Sequence, residues 1–194
     1  MNETKLTDEE KSFLLAHARN TIASDLGIAG NKSYTDADIE KIGPRLEEKR
    51  GCFVTIHKRS QLRGCIGMFE GRGSLWKNVE EMAIQAAFHD PRFQPLTSKE
   101  YDDIDIEISA LSPLRKASSV DEIKVGEHGI YITRGINRGV LLPQVATEQG
   151  WDRDTFLDHT CLKAGLKPGC WRKDDTLIEV FTAEVFGEKG SRDI

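Results

Sequence analysis

An arginine, a cysteine and two glycines fall within the six residues LRGCIG at positions 62–67. Arg63 and Cys65 are two positions apart, so a regular strand would place both side chains on one face. A guanidinium beside a thiol favours the thiolate, which is the nucleophilic form of cysteine. Gly64 and Gly67 remove steric cover from the backbone on either side of Cys65. The spacing therefore suggests a reactive thiol, and it is equally compatible with a small buried cysteine whose neighbouring arginine pairs with an acid.

A second polar cluster occurs at HDPR, positions 89–92. Asp90 and Arg92 flank a proline, which is typical of a turn that the aspartate closes and the arginine pairs with. We therefore interpret this pair mainly as a loop lock. His128, in GEHG, could act as a base or a ligand, although a histidine in a surface turn is the commoner outcome.

The remaining histidine and cysteine patterns do not predict a metal site. His159 and Cys161 are two apart on a predicted helix, so their side chains point about 200° apart. The four cysteines, at positions 52, 65, 161 and 170, lack the short spacing of a structural zinc site. The sequence therefore predicts four reduced thiols and no metal.

Composition limits the classes of partner. The 194-residue chain carries 27 basic and 32 acidic residues, a net charge of −5, so no overall positive field attracts nucleic acid. RNA or nucleotide binding is the last-ranked hypothesis, and it would depend on the arginines at 63, 72, 92, 134 and 138. No run approaches the ~18 apolar residues of a membrane helix, and the N-terminal segment lacks an apolar core. We expect a soluble, cytoplasmic protein without membrane contact.

Hydrophobic periodicity predicts the elements that must hold these residues. Capping-box spacing at Thr7 and Glu10 begins a helix that ends near Gly27, and Ser74 begins a second helix that runs toward HDPR. Between them, CFVTIH and LRGCIGM predict a hairpin, and the glycines of its second strand indicate a bulge or a close approach of another group. The turn-rich segment from residue 27 to residue 51 is interpreted as a solvated connection, in which DADIEKIG could form a short helix before Pro44.

Later segments add strands and a third long helix. DIDIEISAL alternates isoleucines with acids, as a half-exposed antiparallel strand does. KVGEHGIYITRGINRGVLLP predicts another hairpin, Asp152 or Asp154 begins a helix that ends at Gly165, and DTLIEVFTAEVF predicts one final strand. Hairpins interspersed with helices favour an α+β fold over a doubly wound parallel sheet.

From LRGCIG outward, the chain resembles the AMMECR family, whose prokaryotic members are called AmmeMemoRadiSam system protein A. The resemblance covers nearly the whole chain, in the order CFVTIHKRSQLRGCIG, AFHDPRFQPLTSKEYDDIDIEISALSPL, VGEHGIYI, LLPQVATEQGWDRDTFLDHTCLKAGL and IEVFTAEVF. It implies a single AMMECR-type domain over residues 1–194, with an antiparallel sheet and flanking helices. It further implies two unequal subdomains with a cleft between them, the larger subdomain formed by both chain ends.

The same resemblance implies a set of cleft residues and two partners. The residues are Arg63, Gly64, Cys65 and Gly67 from the signature, Asp90, Arg92 and Phe93 from the DPRF turn, and Pro143 and Gln144 from an LPxV segment. The family name implies an association with a radical-SAM protein and a Memo-like protein. This chain has no CxxxCxxC, so it could not hold a radical-SAM cluster itself. Neither the residues nor the resemblance identifies a cofactor or the small-molecule substrate.

Two main hypotheses follow. In the first, the protein is an enzyme or enzyme component in which Cys65 supplies a thiolate, Arg63 holds an anionic group of the substrate, and Asp90 or His128 moves a proton. In the second, it is a noncatalytic accessory module that docks on the radical-SAM or Memo-like partner. The same residues would then form a binding surface.

Overall fold

A computed structural model describes residues 5–28 and 33–189. Within these ranges the α-helices are α1 Asp8–Asp25, α2 Asp36–Ile42, α3 Leu75–Phe88, α4 Pro143–Glu148 and α5 Arg153–Lys163. The strands are β1 Cys52–Lys58, β2 Gln61–Met68, β3 Ile104–Leu111, β4 Arg115–Lys116, β5 Gly129–Arg134, β6 Asn137–Leu141, β7 Leu177–Phe181 and β8 Ala183–Gly187.

The chain divides into two compact units, each with its own hydrophobic core. The terminal unit contains the described residues up to Leu111 and those from Glu184 onward. The inserted unit is the segment between them, residues 112–183. Helices combine with two antiparallel sheets, one in each unit, so the predicted α+β class is confirmed and the expected single sheet becomes two.

In the terminal unit, helices cover one face of a sheet whose strand order is β2-β1-β3-β8. Helix α3 packs on β1 and β2, and α1 packs on α3 and β3. The capping box predicted at Thr7 and Glu10 is present at the start of α1. On β1, Val54 and Ile56 are buried under the helices. Because side chains alternate along a strand, the intervening Thr55 belongs to the opposite face.

The segment between α1 and β1 is not the solvated connection that its composition suggested. Ile39, on the short helix α2, and Leu46, in a 3₁₀ turn, are both completely buried in the terminal core. Each short element contributes a single apolar anchor, so no periodic stripe marks it in the sequence. Residues 29–32 of this connection lie outside the described ranges.

Arg50 lies near the end of the segment between α1 and β1. Its charged side chain is the largest that is fully buried there. Its Nε donates to the carbonyl oxygen of Leu111 at 2.7 Å, and its Nη2 donates to the carboxylate of Glu184 at 3.1 Å. Leu111 is the last residue before the inserted unit, and Glu184 is the first after it. One guanidinium therefore joins the point where the chain leaves the terminal unit to the point where it returns.

The inserted unit contains a sheet of order β4-β7-β5-β6, with α5 packed on β5 and β6. The prediction that DTLIEVFTAEVF forms one strand is wrong, because β7 belongs to this sheet and β8 to the sheet of the terminal unit. Thr182 separates them: its N–H donates to Ser112 Oγ at 3.0 Å, and its carbonyl accepts from Ser112 N–H at 2.9 Å. This change of sheet leaves the alternation of residue types intact, so the sequence pattern does not reveal it.

A disulfide joins Cys161 to Cys170, so the prediction of four reduced thiols is wrong for this pair. The loop between them contains Gly165 and Gly169, both at positive φ, which turn the chain back toward α5. The two Cα atoms thereby come within 6.0 Å, a normal separation for a disulfide. Cys52 and Cys65 remain free.

Candidate functional site

The thiol of Cys65 belongs to a row of polar side chains that crosses three strands of the terminal unit. Cys65 on β2 lies opposite Thr55 on β1, and Thr55 lies opposite Glu107 on β3. All three side chains are half-buried, on the sheet face away from α3. The hydroxyl of Thr55 donates to Cys65 Sγ at 3.3 Å. This contact holds the sulfur in one position on the sheet face.

A β-bulge lies immediately before the thiol, as the glycine pattern indicated. Ile56 is opposite Gly64, whereas His57 is opposite Leu62, so Arg63 is the extra residue on β2. Its side chain forms two hydrogen bonds with Glu100, both 3.2 Å long. Of the two interpretations left open by LRGCIG, the pairing of the arginine with an acid is therefore observed, while the cysteine is half-buried and not fully enclosed.

Glu100 accepts hydrogen bonds from several charged and neutral donors. Besides Arg63, it accepts hydrogen bonds from Lys58 Nζ at 2.9 Å and from the Thr97 N–H at 3.1 Å. These hydrogen bonds, those from Arg63 foremost, lower the pKa of Glu100 to about 2. The carboxylate is therefore ionised at neutral pH and fixes the position of Arg63.

This depressed pKa predicts an acid-dependent loss of stability that Glu100 controls. The pKa of a glutamate in the unfolded chain is about 4.3, so the stabilisation is complete above that pH and disappears as pH falls toward 2. Glu100→Gln should lower the free energy of unfolding by about 2 kcal/mol at pH 7, after allowance for partial exposure. Urea unfolding at pH 7, 4 and 2.5 would measure this loss.

The matched control is Asp103→Asn, which removes an exposed ion pair with Arg59. Exposed pairs contribute little, so this change should cost less than about 0.5 kcal/mol. If Glu100→Gln lowers stability equally at all three pH values, ionisation of Glu100 is not the source of the effect.

A clamp formed by Asp90 and Arg92 holds the backbone of Cys65. Asp90 Oδ2 accepts from the Cys65 N–H at 2.9 Å, and Arg92 Nη2 donates to the Cys65 carbonyl oxygen at 3.0 Å. The two side chains also bind each other, with Arg92 Nη2 2.7 Å from Asp90 Oδ2. Because β2 is an edge strand, these polar backbone groups have no further strand to pair with, and the clamp satisfies them.

The clamp also fixes the charge of Asp90, which is buried. Hydrogen bonds from the Arg92 side chain, supported by the N–H groups of Cys65 and Arg92, hold the pKa of Asp90 well below its usual range. Such a carboxylate does not accept a proton near neutral pH. The arrangement agrees with the loop lock inferred from HDPR and leaves Asp90 a positioning residue. Phe93 completes the turn, with its ring centre 5.4 Å from the Arg92 guanidinium.

The signature glycines allow close packing. A Cβ added to Gly64 would overlap the carbonyl oxygen of Ala86 on α3. A Cβ added to Gly67 would overlap the ring of Phe53 on β1. Gly64 therefore sets the distance between β2 and α3, and through it the position of Cys65.

Three of the predicted site residues lie in the inserted unit. His128 is buried, so the expectation of a surface histidine is wrong, although it does follow a turn. Its Nδ1 accepts from the Lys124 N–H at 3.2 Å, which closes that turn. Pro143 is the buried first residue of α4, and Gln144 follows it half-buried. The residues that the structure groups around the thiol are Arg63, Gly64, Gly67, Asp90, Arg92 and Phe93.

Sequence reasoning missed the neighbours of Cys65 on the sheet face. Besides Thr55 and Glu107, this face carries His57, which lies opposite Asp105 on β3. The signal was present, because CFVTIH and IDIEIS both alternate apolar and polar residues. What alternation does not supply is the register that aligns one strand with the next.

Two structural findings concern metals and membranes. Across residues 5–28 and 33–189, no three histidine, cysteine or acidic side chains are grouped so that they could hold a metal ion. Within the same ranges, no helix has both the length and the apolar character needed to cross a bilayer.

Comparison with known proteins shows what this chain is similar to. The family model described as AMMECR1 matches residues 15–186. A protein of Methanopyrus kandleri is 45% identical, with 95% of this chain and 91% of that protein aligned. A protein of Methanothermobacter thermautotrophicus is 42% identical, over 98% of this chain and 100% of its own length. The crystal structure of an uncharacterized protein from Pyrococcus horikoshii matches with a TM-score of 0.78 and 37% identity, covering 95% of this chain and 94% of that one.

Proposed function

The chain belongs to the AMMECR1 family, and from that premise we propose that it is an enzyme component whose reactive group is the Cys65 thiol. One observation carries the proposal. The thiol is half-buried and accepts a hydroxyl donor, while both backbone polar groups of the same residue are bound by the Asp90–Arg92 clamp. The backbone contacts satisfy edge groups that any residue here would carry, and together with the hydroxyl donor they hold the half-buried thiol in the fixed geometry that a nucleophile needs.

In the proposed chemistry, Cys65 Sγ attacks an electrophilic carbon of a small molecule. The carbon is that of a carbonyl group: the S–H bond breaks as the S–C bond forms, the π electron pair of the C=O bond moves onto its oxygen, and the proton passes to a nearby base. We assign that role to His57, with Asp105 opposite it on β3. His57 lies two positions from Thr55 on β1, on the same sheet face, and the bulge at Arg63 places it opposite Leu62. This assignment replaces Asp90, whose charge is fixed, and His128, whose Nδ1 closes a turn.

Arg92 is the proposed contact for an anionic group of the substrate. Arg63 could serve only by giving up its two hydrogen bonds to Glu100. Arg92 is exposed, lies beside Cys65, and binds its present partners through Nε and Nη2. Its Nη1 has no hydrogen-bond partner among the described residues, so it can donate to a ligand.

The proposed setting is a pathway shared with a radical-SAM protein and a Memo-like protein, as the family name implies. The second candidate function is a noncatalytic module that docks on one of them. It is supported by the mutual neutralisation of Arg63 with Glu100 and of Asp90 with Arg92, which makes a rigid surface. RNA binding gains no such support, because four of the five arginines it would use lie in ion pairs, namely Arg63, Arg72, Arg92 and Arg134.

Alkylation of the folded protein tests the proposed thiol chemistry. Iodoacetamide at pH 7.5 should modify Cys65 more than about 100-fold faster than Cys52, because burial raises the pKa of the Cys52 thiol to about 12. Thr55→Val should slow the reaction of Cys65 by about threefold to tenfold, and Thr55→Ser, which keeps the hydroxyl, should not. Peptide mapping by mass spectrometry would give both rates.

Two results would contradict this proposal. One is a Cys65 that resists alkylation until the protein is unfolded, and the other is a Thr55→Val rate equal to that of the unmodified chain. In cells, Cys65→Ala should abolish function while leaving co-purification with partners intact. If Cys65→Ala retains function and Arg92→Ala loses the complex, the docking module is the correct reading.

A further inference from the structure

A groove of about 420 Å³ opens in the inserted unit, outside every residue used so far for the thiol site. It is lined by residues 165–170 of the loop after α5, and by Arg134 and Lys173 from two other segments. The lining carries three cationic side chains and no acid. Its volume lies within the range of about 300–1,000 Å³ that is usual for small-molecule sites.

Most of the positive charge in the groove is not neutralised by the protein. Arg134 Nε is 2.9 Å from Asp175 Oδ2. Lys167 and Lys173 form no ion pair with any residue in the described part of the chain. In a chain whose net charge is −5, unpaired cations that converge on one concave surface favour an anionic ligand.

The loop that lines the groove is held firmly against α5. The Cys161–Cys170 disulfide anchors one end. The carboxylate of Asp158 on α5 accepts from the Gly169 N–H at 2.6 Å and from Trp171 Nε1 at 2.7 Å. Rigid walls reduce the entropy lost when a ligand binds, so the groove is preorganised.

We propose that this groove binds a phosphate-bearing small molecule. Lysine ammonium groups bind phosphate as point charges, and the two in this groove, Lys167 and Lys173, suit the multiple charge of a diphosphate better than a single carboxylate. Leu166 and Pro168 supply an apolar surface for the remainder of the ligand. The site is separate from the proposed thiol chemistry, and either could exist without the other.

Titration with inorganic pyrophosphate tests the proposal on the full chain. In ¹⁵N-resolved NMR spectra, the amide signals of residues 165–167, 169, 170 and 173 should shift saturably, while acetate at equal concentration should leave them in place. Lys167→Glu should weaken binding more than about tenfold, since it removes an attractive charge and adds a repulsive one. Lys167→Gln should weaken it less.

Lys163→Glu is the matched control, because Lys163 is equally exposed in the same unit and does not line the groove. It should change the dissociation constant less than about twofold. Unchanged amide signals elsewhere in the spectrum would show that each variant is folded. The proposal is overturned by an absence of saturable shifts at millimolar pyrophosphate, by equal effects of the two glutamate variants, or by acetate binding as well as pyrophosphate.

Discussion

Replacing Gly64 by alanine is expected to lower the free energy of unfolding by about 3 kcal/mol or more, and to displace Cys65 from its clamp. The added Cβ would overlap the carbonyl oxygen of Ala86, which is backbone within α3 and cannot rotate away. Either β2 or α3 must then move, and the well-packed terminal core resists both. Urea unfolding would measure the loss of stability, and iodoacetamide labelling would report the altered exposure of Cys65.

Gly73→Ala is the control for this change. A Cβ at Gly73 would meet no heavy atom of the described residues within 4 Å, and Gly73 does not require positive φ. Its substitution should therefore alter stability by less than about 0.5 kcal/mol. If Gly64→Ala were tolerated as well as Gly73→Ala, the close approach of β2 to α3 would not be what holds the thiol in place.

Arg50→Met is expected to cost about 3–5 kcal/mol, because it leaves buried polar partners without their cation. The carbonyl of Leu111 would lose its donor, and Glu184, which is largely buried, would lose its closest positive partner. Lys11, at 3.6 Å from Glu184, remains and compensates only in part. Chemical denaturation of the full chain at pH 7 would measure the cost.

An exposed arginine provides the comparison. Arg72 lies 3.8 Å from Glu81, and both side chains are open to solvent, so Arg72→Met should change stability by less than about 0.5 kcal/mol. A small effect of Arg50→Met would mean that the guanidinium does not hold Leu111 and Glu184 together, where the chain leaves the terminal unit and returns to it. Loss of stability in both variants alike would indicate a general effect of charge removal.

The elements that sequence reasoning predicted well are those specified by local interactions. Helix α1 begins at a capping box that four consecutive residues define, and the β1–β2 hairpin joins strands only a few residues apart. Helix α5 begins after the predicted cap Asp152 and ends before Gly165. In each case the signal and the structure occupy the same stretch of chain.

The features that sequence reasoning missed depend on contacts between residues far apart in the chain. The change of sheet at Thr182 depends on Ser112, and the burial of Ile39 depends on a core assembled from both chain ends. The disulfide depends on how a glycine loop turns back on α5. None of these leaves a periodic trace in its own segment.

For the candidate site, sequence reasoning identified Cys65 and its clamp but not the side chains packed around them. The HDPR turn contacts Cys65 of LRGCIG through Asp90. The interpretation of Asp90 and Arg92 as a pair that locks this turn agrees with the contact between them. The acid that pairs with Arg63 is Glu100, 37 positions further along the chain. A partner so distant in sequence follows from the register of strands and turns, which a single sequence does not encode in a readable way.

The contacts of Arg50 with Leu111 and Glu184 bear on how a gene of this kind can change. Because the chain leaves the terminal unit at Leu111 and returns at Glu184 beside the same guanidinium, a coding segment can be gained, lengthened or exchanged there with little disturbance to the core. The cysteine and its clamp would be inherited with the terminal unit. The inserted unit could then diverge in what it binds while the thiol stays where it is.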